Sequence, residues 1–498
     1  MDFDLFPIPS RHGAPSQNLV LPRNKAGVSL ASTTALQDIL TDNHKRWHVF
    51  FNSRRFQNHT AYAVLTLWSL GVEPAILKGS YEQNVKIQVP AFPSPTSITH
   101  QTWKDHLGDD KYYQAYVSFF AEELKKKSYS KLLEEYVFEM SANVARRATA
   151  DQPKMLDRLF AGLLHPMIHT GFGVEFTLPG MFAEGLALIA VYQAEGGGLL
   201  LAEWFNSPAP GYFSWLTSSV GILNDETRHD VHAFTIMARI LEDPDLGGYE
   251  NPGPKNPLPG VVHTYGKTIL NYVDQWTLDG DVDKKVHELQ WTMVLLYGVC
   301  GLESDENGQF NADLYLLHLV TSSLFLSQIF AELCRSSQIL LLRGYFAYCM
   351  AWYVARGRPN LDIVAFFSDP NTLHPVPPGP RPTPHTGVNP SPSSPEAVTP
   401  NPWLPIIQSS LAHPDDHLPK LQRTLSEYAA HFGLTPAGTF KVTELKGAEL
   451  IDGTLFIRAA GLTFSRLGWV REGEAPGTWN EKGFFKHPYV CKGNEDDW

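Results

Sequence analysis

Helical periodicity dominates the pattern of hydrophobic and polar positions along this 498-residue chain. Apolar residues recur at intervals of three and four, which is the spacing of one face of an α-helix. The pattern predicts helices over Ala61–Leu70, Tyr112–Leu124, Lys131–Ala148, Met155–Leu164, Phe182–Tyr192, Lys284–Tyr297, Asp313–Leu333 and Ser337–Val354. We therefore expect a mainly α fold built as a large multi-helical bundle. No repeat of solenoid length is visible, which argues against an extended helical scaffold.

A proline-rich segment interrupts the helical pattern. Residues 370–402 contain 12 prolines in 33 positions, a composition that favours extended or disordered chain over a packed core. We accordingly predict four regions. They are an N-terminal extension (1–45), a helical catalytic body (46–368), a linker (369–402) and a C-terminal region (403–498).

The C-terminal region is predicted to be a small α+β unit. Asp416 is a suitable N-cap for a helix that runs from there to Phe432. Polar and apolar residues alternate over 438–443 and 454–458, which predicts a small β element. We expect this region to cap a pocket of the helical body with its aromatic residues Trp403, Trp469, Trp479 and Phe484, because such pockets have apolar walls.

Composition and charge exclude several classes of partner. The net charge is −12 and no lysine- or arginine-rich face stands out, so a nucleic-acid partner is not expected. The N-terminus is acidic and contains an early proline, unlike a secretory signal. The apolar run over 314–333 is interrupted by polar residues, so no membrane span is expected. The scattered cysteines Cys300, Cys334, Cys349 and Cys491 favour a reducing, cytoplasmic location.

The segment from Leu164 to Phe176 carries the most suggestive chemistry. His165 and His169 are four residues apart, so on a helix they share a face and could approach one metal ion. The alternative is a pair of hydrogen-bonded core histidines. Pro166 lacks an amide hydrogen, which predicts a kink or a helix boundary with His165 as the capping residue. Gly171 and Gly173 would let other groups approach the backbone.

Two further histidines lie at the edge or inside of apolar helices. His59 opens a predicted helix, and His318 lies near the middle of another. Taken alone, His318 would be a core histidine with satisfied hydrogen bonds. Other catalytic motifs are missing, because the chain has no P-loop, no Gly-x-Ser-x-Gly elbow and no His-Glu-x-x-His. The glycines at 171 and 173 do not complete a dinucleotide-binding fingerprint.

Several sequence blocks, taken in order, resemble the questin oxidase-like proteins, which come mostly from fungal secondary metabolism. The blocks span about residues 46 to 470. They are Phe56-Gln-Asn58-His59, Trp68-Ser-Leu-Gly71, Gly162-Leu-Leu-His165-Pro166-Met-Ile-His169-Thr-Gly-Phe-Gly-Val-Glu175-Phe, Ala183-Glu184-Gly-Leu-Ala, His318-Leu-Val-Thr321-Ser322-Ser323-Leu-Phe, Tyr353-Val-Ala-Arg356-Gly-Arg-Pro359 and Asp416-His417-Leu-Pro-Lys.

The resemblance implies an oxidoreductase that uses O₂ to open or expand a ring of an aromatic polyketide such as an anthraquinone. For part of the family it also implies a non-haem Fe²⁺ centre built from several histidines and a carboxylated lysine. The histidines that carry over to this chain as metal ligands are His59, His165, His169 and His318.

This sequence departs from the family pattern in two places. Gln57 and Tyr62 stand where relatives often have further histidines. The lysine expected in the helix after Ser337 is missing, because no lysine occurs between Lys285 and Lys420.

A metal held by neutral imidazoles in an apolar core also calls for a nearby carboxylate, because an uncompensated buried charge is unfavourable. Glu184, within an apolar run, is the first candidate, either as a ligand or as a hydrogen-bond partner of a ligating histidine. Glu175 is the second, and its alternative is an ordinary loop acid at the rim of the site. Two other functions stay open. One is an NADPH-dependent Baeyer–Villiger-type monooxygenase, although the sequence has no nucleotide-binding motif. The other is a non-catalytic helical binding protein with a decayed site.

Overall fold

The structure is a computed structural model that describes residues 3–10, 19, 24–145, 152–206, 230–250, 256–278, 280–305 and 307–485. Within these ranges the regular secondary structure is helical, and β pairing is limited to isolated bridges. The predicted mainly α fold is therefore confirmed.

The part of the fold before residue 250 contains nine α-helices in the described ranges. They are α1 (Leu30–Arg46), α2 (Thr60–Ser69), α3 (Pro74–Asn84), α4 (Tyr113–Leu124), α5 (Tyr129–Leu133), α6 (Met155–Glu175), α7 (Pro179–Val191), α8 (Ala202–Asn206) and α9 (Ala233–Glu242).

The helices that follow are α10 (Leu258–Val273), α11 (Val282–Gly298), α12 (Leu314–Ser323), α13 (Leu326–Ala331), α14 (Arg335–Ala355), α15 (Ile363–Ser368), α16 (Pro395–Val398), α17 (Trp403–Leu411), α18 (His417–Phe432) and α19 (Leu455–Leu467).

Two predicted helices are divided in the structure. The prediction over Lys131–Ala148 is wrong beyond α5, since the chain continues as a π-helical turn at Glu134–Phe138; residues 146–148 lie outside the described ranges. The prediction over Asp313–Leu333 becomes α12 and α13. Ser322 and Ser323 at the end of α12 donate their hydroxyls to backbone carbonyls three residues back, a local bond that competes with a regular helix.

The predicted β element in the C-terminal region is wrong. Residues 438–443 form turns, and residues 455–467 form the helix α19. The five residues at 454–458 are three consecutive apolar residues between two polar ones, and the longer run has buried residues at a helical spacing, among them Leu455, Ala459, Thr463 and Leu467. A short window thus missed the helical period.

The N-terminal and C-terminal helices pack on the helices between them. Helix α1 contacts α2 and α3, and α18 contacts α2, α12 and α19. Helices α6 and α7 are in close contact, because a Cβ atom at Gly173 would lie 2.6 Å from the backbone nitrogen of Phe182. The expectation that glycine permits close approach here is confirmed.

The proline-rich segment lies almost entirely on the surface. Among residues 370–402, all of which are described, only Pro375 is buried. Elsewhere in the described ranges, the helical run Leu314–Ala331 has the length and apolar composition of a membrane span, and 83% of it is buried within the fold. Such burial is typical of a core helix.

Candidate active site

A break inside α6 directs His165. Residues 161–164 leave the helical conformation, and Gly162, Leu163 and Leu164 have φ of 52°, 57° and 67°. Two leucines in this left-handed region are unfavourable, and such residues concentrate at functional sites. The turn lets the Gly162 carbonyl oxygen accept a hydrogen bond from His165 Nδ1 at 2.6 Å. The kink predicted from Pro166 is confirmed.

Four imidazole rings meet at one end of a pocket between α2, α6, α12 and α18. His59 Nε2 lies 2.9 Å from His165 Nε2, and the ring centres of His165 and His318 are 4.8 Å apart. The fourth ring, His417, lies 4.9 Å from His59 and 5.1 Å from His318, measured between ring centres. We call His59, His165, His318 and His417 the histidine cluster.

Hydrogen bonds to the backbone decide which ring nitrogens can bind a metal. A carbonyl oxygen only accepts, so His165 Nδ1 donates to Gly162 and His318 Nδ1 donates to the Leu314 oxygen at 2.7 Å. In a neutral imidazole the other nitrogen then carries a free lone pair. His59 Nε2 also carries a lone pair, because His59 Nδ1 donates to an Asp416 carboxylate oxygen 3.1 Å away.

Burial keeps these imidazoles neutral. Burial, with the Lys420 charge nearby, lowers the pKa of His59 to about 4. Burial likewise lowers the pKa of His165 and of His318 well below the usual range. Neutral imidazole is the form that coordinates metal ions, so these three residues are ready to act as ligands.

The donor set fits a divalent transition metal. Two nitrogen lone pairs at 2.9 Å, those of His59 and His165, repel each other unless a cation or a proton lies between them. Nitrogens about 2.1 Å from one metal ion at right angles are about 3 Å apart, close to this separation. His318 Nε2 is buried and has no hydrogen-bond partner among the described residues. A cation between His59 and His165 would remove the repulsion between their lone pairs.

His169 does not join the histidine cluster. Its Nδ1 lies 3.0 Å from the Tyr62 hydroxyl and its Nε2 lies 2.9 Å from a Glu184 carboxylate oxygen. Both ring nitrogens are therefore occupied. The prediction that all four histidines converge is wrong for His169, because Tyr62 and Glu184 occupy its two ring nitrogens.

Glu184 binds histidines that lie outside the cluster. Its second carboxylate oxygen is 2.6 Å from His44 Nδ1. Burial by itself would raise the pKa of Glu184, but hydrogen bonds from His169 and His44 lower it to about 2. The carboxylate is therefore charged and accepts from both imidazoles, as expected for a buried acid in an apolar helix. It supports His169 rather than a cluster histidine.

Glu175 is not a loop acid at the rim. It is buried at the end of α6 and forms an ion pair with Arg423 of α18, whose side chain is also buried. The Arg423 guanidinium lies 5.8 Å and 5.5 Å from the ring centres of Phe172 and Phe176. Glu175 thus holds a buried cation on an aromatic surface beside the pocket.

The pocket is an aromatic cavity with two cationic side chains in its wall. Its lining consists of Tyr62, Thr66, His165, Ile168, Phe172, His318, Thr321, Leu324, Phe325, His417, Lys420, Arg423 and Thr424. An apolar pocket with a few convergent polar groups is typical of a small-molecule site.

The sequence interpretation missed the contribution of α18. Asp416 was assigned as a helix cap, but Asp415 accepts from the His417 and Leu418 amides instead. Asp416 pairs with Lys420 at 2.8 Å and with His59. Although burial opposes it, Lys420, His417 and His59 hold the pKa of Asp416 well below its usual range. The block that carries these residues indicated the family resemblance and the start of a helix from the sequence, but no role in the site was predicted for it.

Of the aromatic residues expected to cap the pocket, Trp479 is the one near the cluster. Its ring centre lies 6.4 Å from that of His417. Trp469 instead stacks on Phe464, at 4.3 Å between ring centres. The next residue, Asn480, exchanges backbone hydrogen bonds with the start of α12, which ties the segment down beside the site.

Comparison with known proteins supplies the family. The sequence profile of the questin oxidase-like family matches residues 56–425. The chain belongs to this family. It is 26% identical to a Baeyer–Villiger oxidase of Pestalotiopsis fici over 446 residues, which cover 87% of this chain and 88% of the relative. It is 23% identical to a questin oxidase of Aspergillus terreus over 435 residues, covering 83% and 85%.

A third relative, a Baeyer–Villiger monooxygenase of a Cryptosporiopsis strain, is 26% identical over 362 residues, or 69% of this chain and 75% of the relative. All three relatives are named as oxidases or monooxygenases. The chain is therefore an oxidoreductase, and the non-catalytic alternative is not supported. A small-molecule substrate and O₂ are the reactants that such oxygenases imply.

Proposed function

We propose that this oxidoreductase is a non-haem iron oxygenase that uses O₂ to cleave or expand a ring of a hydroxylated aromatic polyketide in secondary metabolism. The observation that carries the proposal is the histidine cluster, in which the Nε2 atoms of His59, His165 and His318 carry lone pairs inside one buried pocket. The relatives named as a Baeyer–Villiger monooxygenase and a Baeyer–Villiger oxidase support an oxygenase reaction.

His59, His165 and His318 would hold the iron. His417 and the Asp416 carboxylate lie next to them, since one ligand atom each of His59, Asp416 and His417 lie within 4.8 Å of one another. Bound iron would supply one-electron chemistry with O₂, which the side chains alone cannot provide. Imidazoles do not select strongly among divalent metals, so manganese or zinc can occupy such a site in purified protein.

Lys420 is our candidate for the carboxylated lysine that the family resemblance implies. The expected lysine is missing from α14, but Lys420 lines the same pocket as His165, His318 and His417. Carboxylation would replace its positive charge by a negative one and so compensate a bound cation. Carbon-13 NMR of protein equilibrated with labelled bicarbonate should show a carbamate signal that is lost in Lys420→Gln.

The other pocket residues would bind and orient the substrate. Phe172 and Phe325 offer flat apolar surfaces to an aromatic ring system, and Arg423 offers a positive charge to an ionised oxygen. Trp479, beside His417, would limit the access of water to the reacting ring.

The test compares metal content and turnover in matched histidine variants. His318→Gln removes one Nε2 ligand and should lower bound iron and O₂ uptake with a hydroxyanthraquinone by at least about tenfold. The matched control is His263→Gln, since His263 is exposed on α10, and it should behave as the unmodified protein. Full turnover by metal-stripped protein, or unchanged iron in His318→Gln, would refute the proposal.

An NADPH-dependent Baeyer–Villiger-type monooxygenase is the second candidate, because two relatives carry Baeyer–Villiger names. NADPH oxidation coupled to substrate loss in metal-free protein would favour it over the iron oxygenase.

A further inference from the structure

A chain of four buried or half-buried polar side chains runs from near the surface to the pocket. His44 Nδ1 lies 2.6 Å from Glu184 Oε1, and Glu184 Oε2 lies 2.9 Å from His169 Nε2. His169 Nδ1 lies 3.0 Å from the hydroxyl of Tyr62, which lines the pocket. At the other end the His44 side chain is 17% exposed. We call these four residues the polar chain.

The direction of each hydrogen bond follows from the charge of Glu184. The pKa of Glu184 is about 2, so its ionised carboxylate only accepts, and both imidazole nitrogens next to it donate. Glu184 raises the pKa of His44 against the effect of burial. With its Nε2 donating to Glu184, His169 can accept at Nδ1 the hydrogen bond that the Tyr62 hydroxyl donates.

This order of groups is that of a carboxylate–histidine pair acting on a hydroxyl. The carboxylate orients the imidazole and stabilises it when it takes up a proton, and the hydroxyl faces the reacting compound. A purely structural role would not require that the chain end in the pocket. Glu184 is also the one ionisable residue in the helix α7, so its burial calls for a compensating role or partner.

We propose that Tyr62, His169 and Glu184 form a proton relay that ionises a phenolic hydroxyl of the bound substrate. The substrate class rests on the proposed function. The substrate O–H bond breaks and its proton binds the Tyr62 oxygen, while the Tyr62 proton moves to His169 Nδ1. The products are a substrate phenolate, a neutral tyrosine and an imidazolium paired with the Glu184 carboxylate. No electrons are transferred in this step.

The environment of each group favours this outcome. Burial, together with the charges of Glu184 and Asp416, raises the pKa of Tyr62 well above its usual range. The hydrogen bond from Tyr62 to His169 Nδ1 gives its proton a place to go, so Tyr62 is neutral before and after the step. The resulting phenolate lies in a pocket whose wall contains the Arg423 guanidinium. A phenolate gives up electrons to O₂ more readily than a neutral phenol does, so the relay would prepare the ring for oxidation.

The test uses 2-hydroxyanthraquinone as a coloured probe, because ionisation of its hydroxyl shifts its visible absorption to longer wavelength. The probe is added to the full-length holoprotein without O₂, at a pH well below the pKa of the probe in water. The unmodified protein should bind it as the phenolate. Tyr62→Phe should bind it with an affinity within about threefold, on the scale of one lost neutral hydrogen bond, but as the neutral phenol.

Two further variants separate the relay from a structural effect. Glu184→Gln keeps the shape of the side chain and removes the charge, so the phenolate fraction should fall at least about tenfold, equivalent to one pKa unit or more. Tyr428→Phe is the matched control, since its buried hydroxyl bonds to Ser323 at 2.7 Å and does not line the pocket. It should give the spectrum of the unmodified protein. Iron content should be unchanged in Tyr62→Phe.

Binding of the neutral phenol by the unmodified protein would overturn the relay, and so would a phenolate spectrum that persists in Tyr62→Phe. Either result would leave the iron site and the substrate class intact. If none of the proteins binds the probe, the substrate class of the proposed function is wrong, and the relay that rests on it is wrong as well.

Discussion

Removing the charge of Glu175 should destabilise the protein by leaving Arg423 as a buried, unpaired cation. Both side chains of this ion pair are 2% exposed. Breaking a buried pair from one side costs about 3–5 kcal/mol. In Glu175→Gln the new amide oxygen can still accept one hydrogen bond, which restores about 1 kcal/mol. The contacts of Arg423 with Phe172 and Phe176 are present in both proteins and cancel. The expected loss is about 2–4 kcal/mol.

This loss can be measured as a shift in thermal midpoint. Unfolding entropy of about 2 cal/mol/K per residue amounts to about 1 kcal/mol/K for a chain of this length, so Tm should fall by about 2–4 °C. The matched control is Glu122→Gln, which breaks an exposed pair with Lys125 whose side chains are 61% and 44% exposed. Its Tm should change by less than about 1 °C, because exposed pairs contribute little.

A double variant distinguishes a lone charge from lost packing. Glu175→Gln combined with Arg423→Met leaves no unpaired ion and should recover part of the stability lost in Glu175→Gln alone. Two results would contradict a destabilising lone charge. One is a Tm of Glu175→Gln within about 1 °C of that of the unmodified protein. The other is a double variant whose loss of stability equals the sum of the losses in the two single variants.

Three further outcomes are expected. The free energy of unfolding of the metal-free protein should fall by about 3 kcal/mol between pH 6.5 and about 4, because the pKa of His59 is about 4 in the folded state and 6.5 in the unfolded state. This contribution is complete above pH 6.5. Urea unfolding measures it, and His59→Gln should remove it from the pH dependence. Gly173→Ala should lower the free energy of unfolding by about 1–3 kcal/mol, because the added Cβ meets the Phe182 backbone. Its control, Gly79→Ala, should leave stability unchanged or raise it, because Gly79 has open space around it. Deleting about ten exposed residues within 376–400 should leave turnover within about twofold, and a loss beyond tenfold would show that this segment positions α18.

The helical class and the family follow from local patterns that sequence carries directly. Apolar residues at helical spacing fix which face of a helix is buried, so α2, α4, α7, α11 and α14 were predicted to within a few residues. Pro166 lacks the amide hydrogen of a regular helix, and the break beside it was predicted for that reason. Where the pattern was judged over only five residues, as at 454–458, the period was misread and a helix was taken for a strand.

Sequence by itself determined which residue types were available for the site, namely histidines and carboxylates in apolar surroundings. Only the tertiary structure decided which of them meet. Helical periodicity states the face on which a side chain lies but not which other helix packs there. Two histidines of one helix therefore have different partners, since His165 meets His59 and His169 meets Glu184. His417 reaches the cluster from α18, about 100 residues beyond His318 in the sequence, because packing between distant helices, rather than chain proximity, brings ligands together.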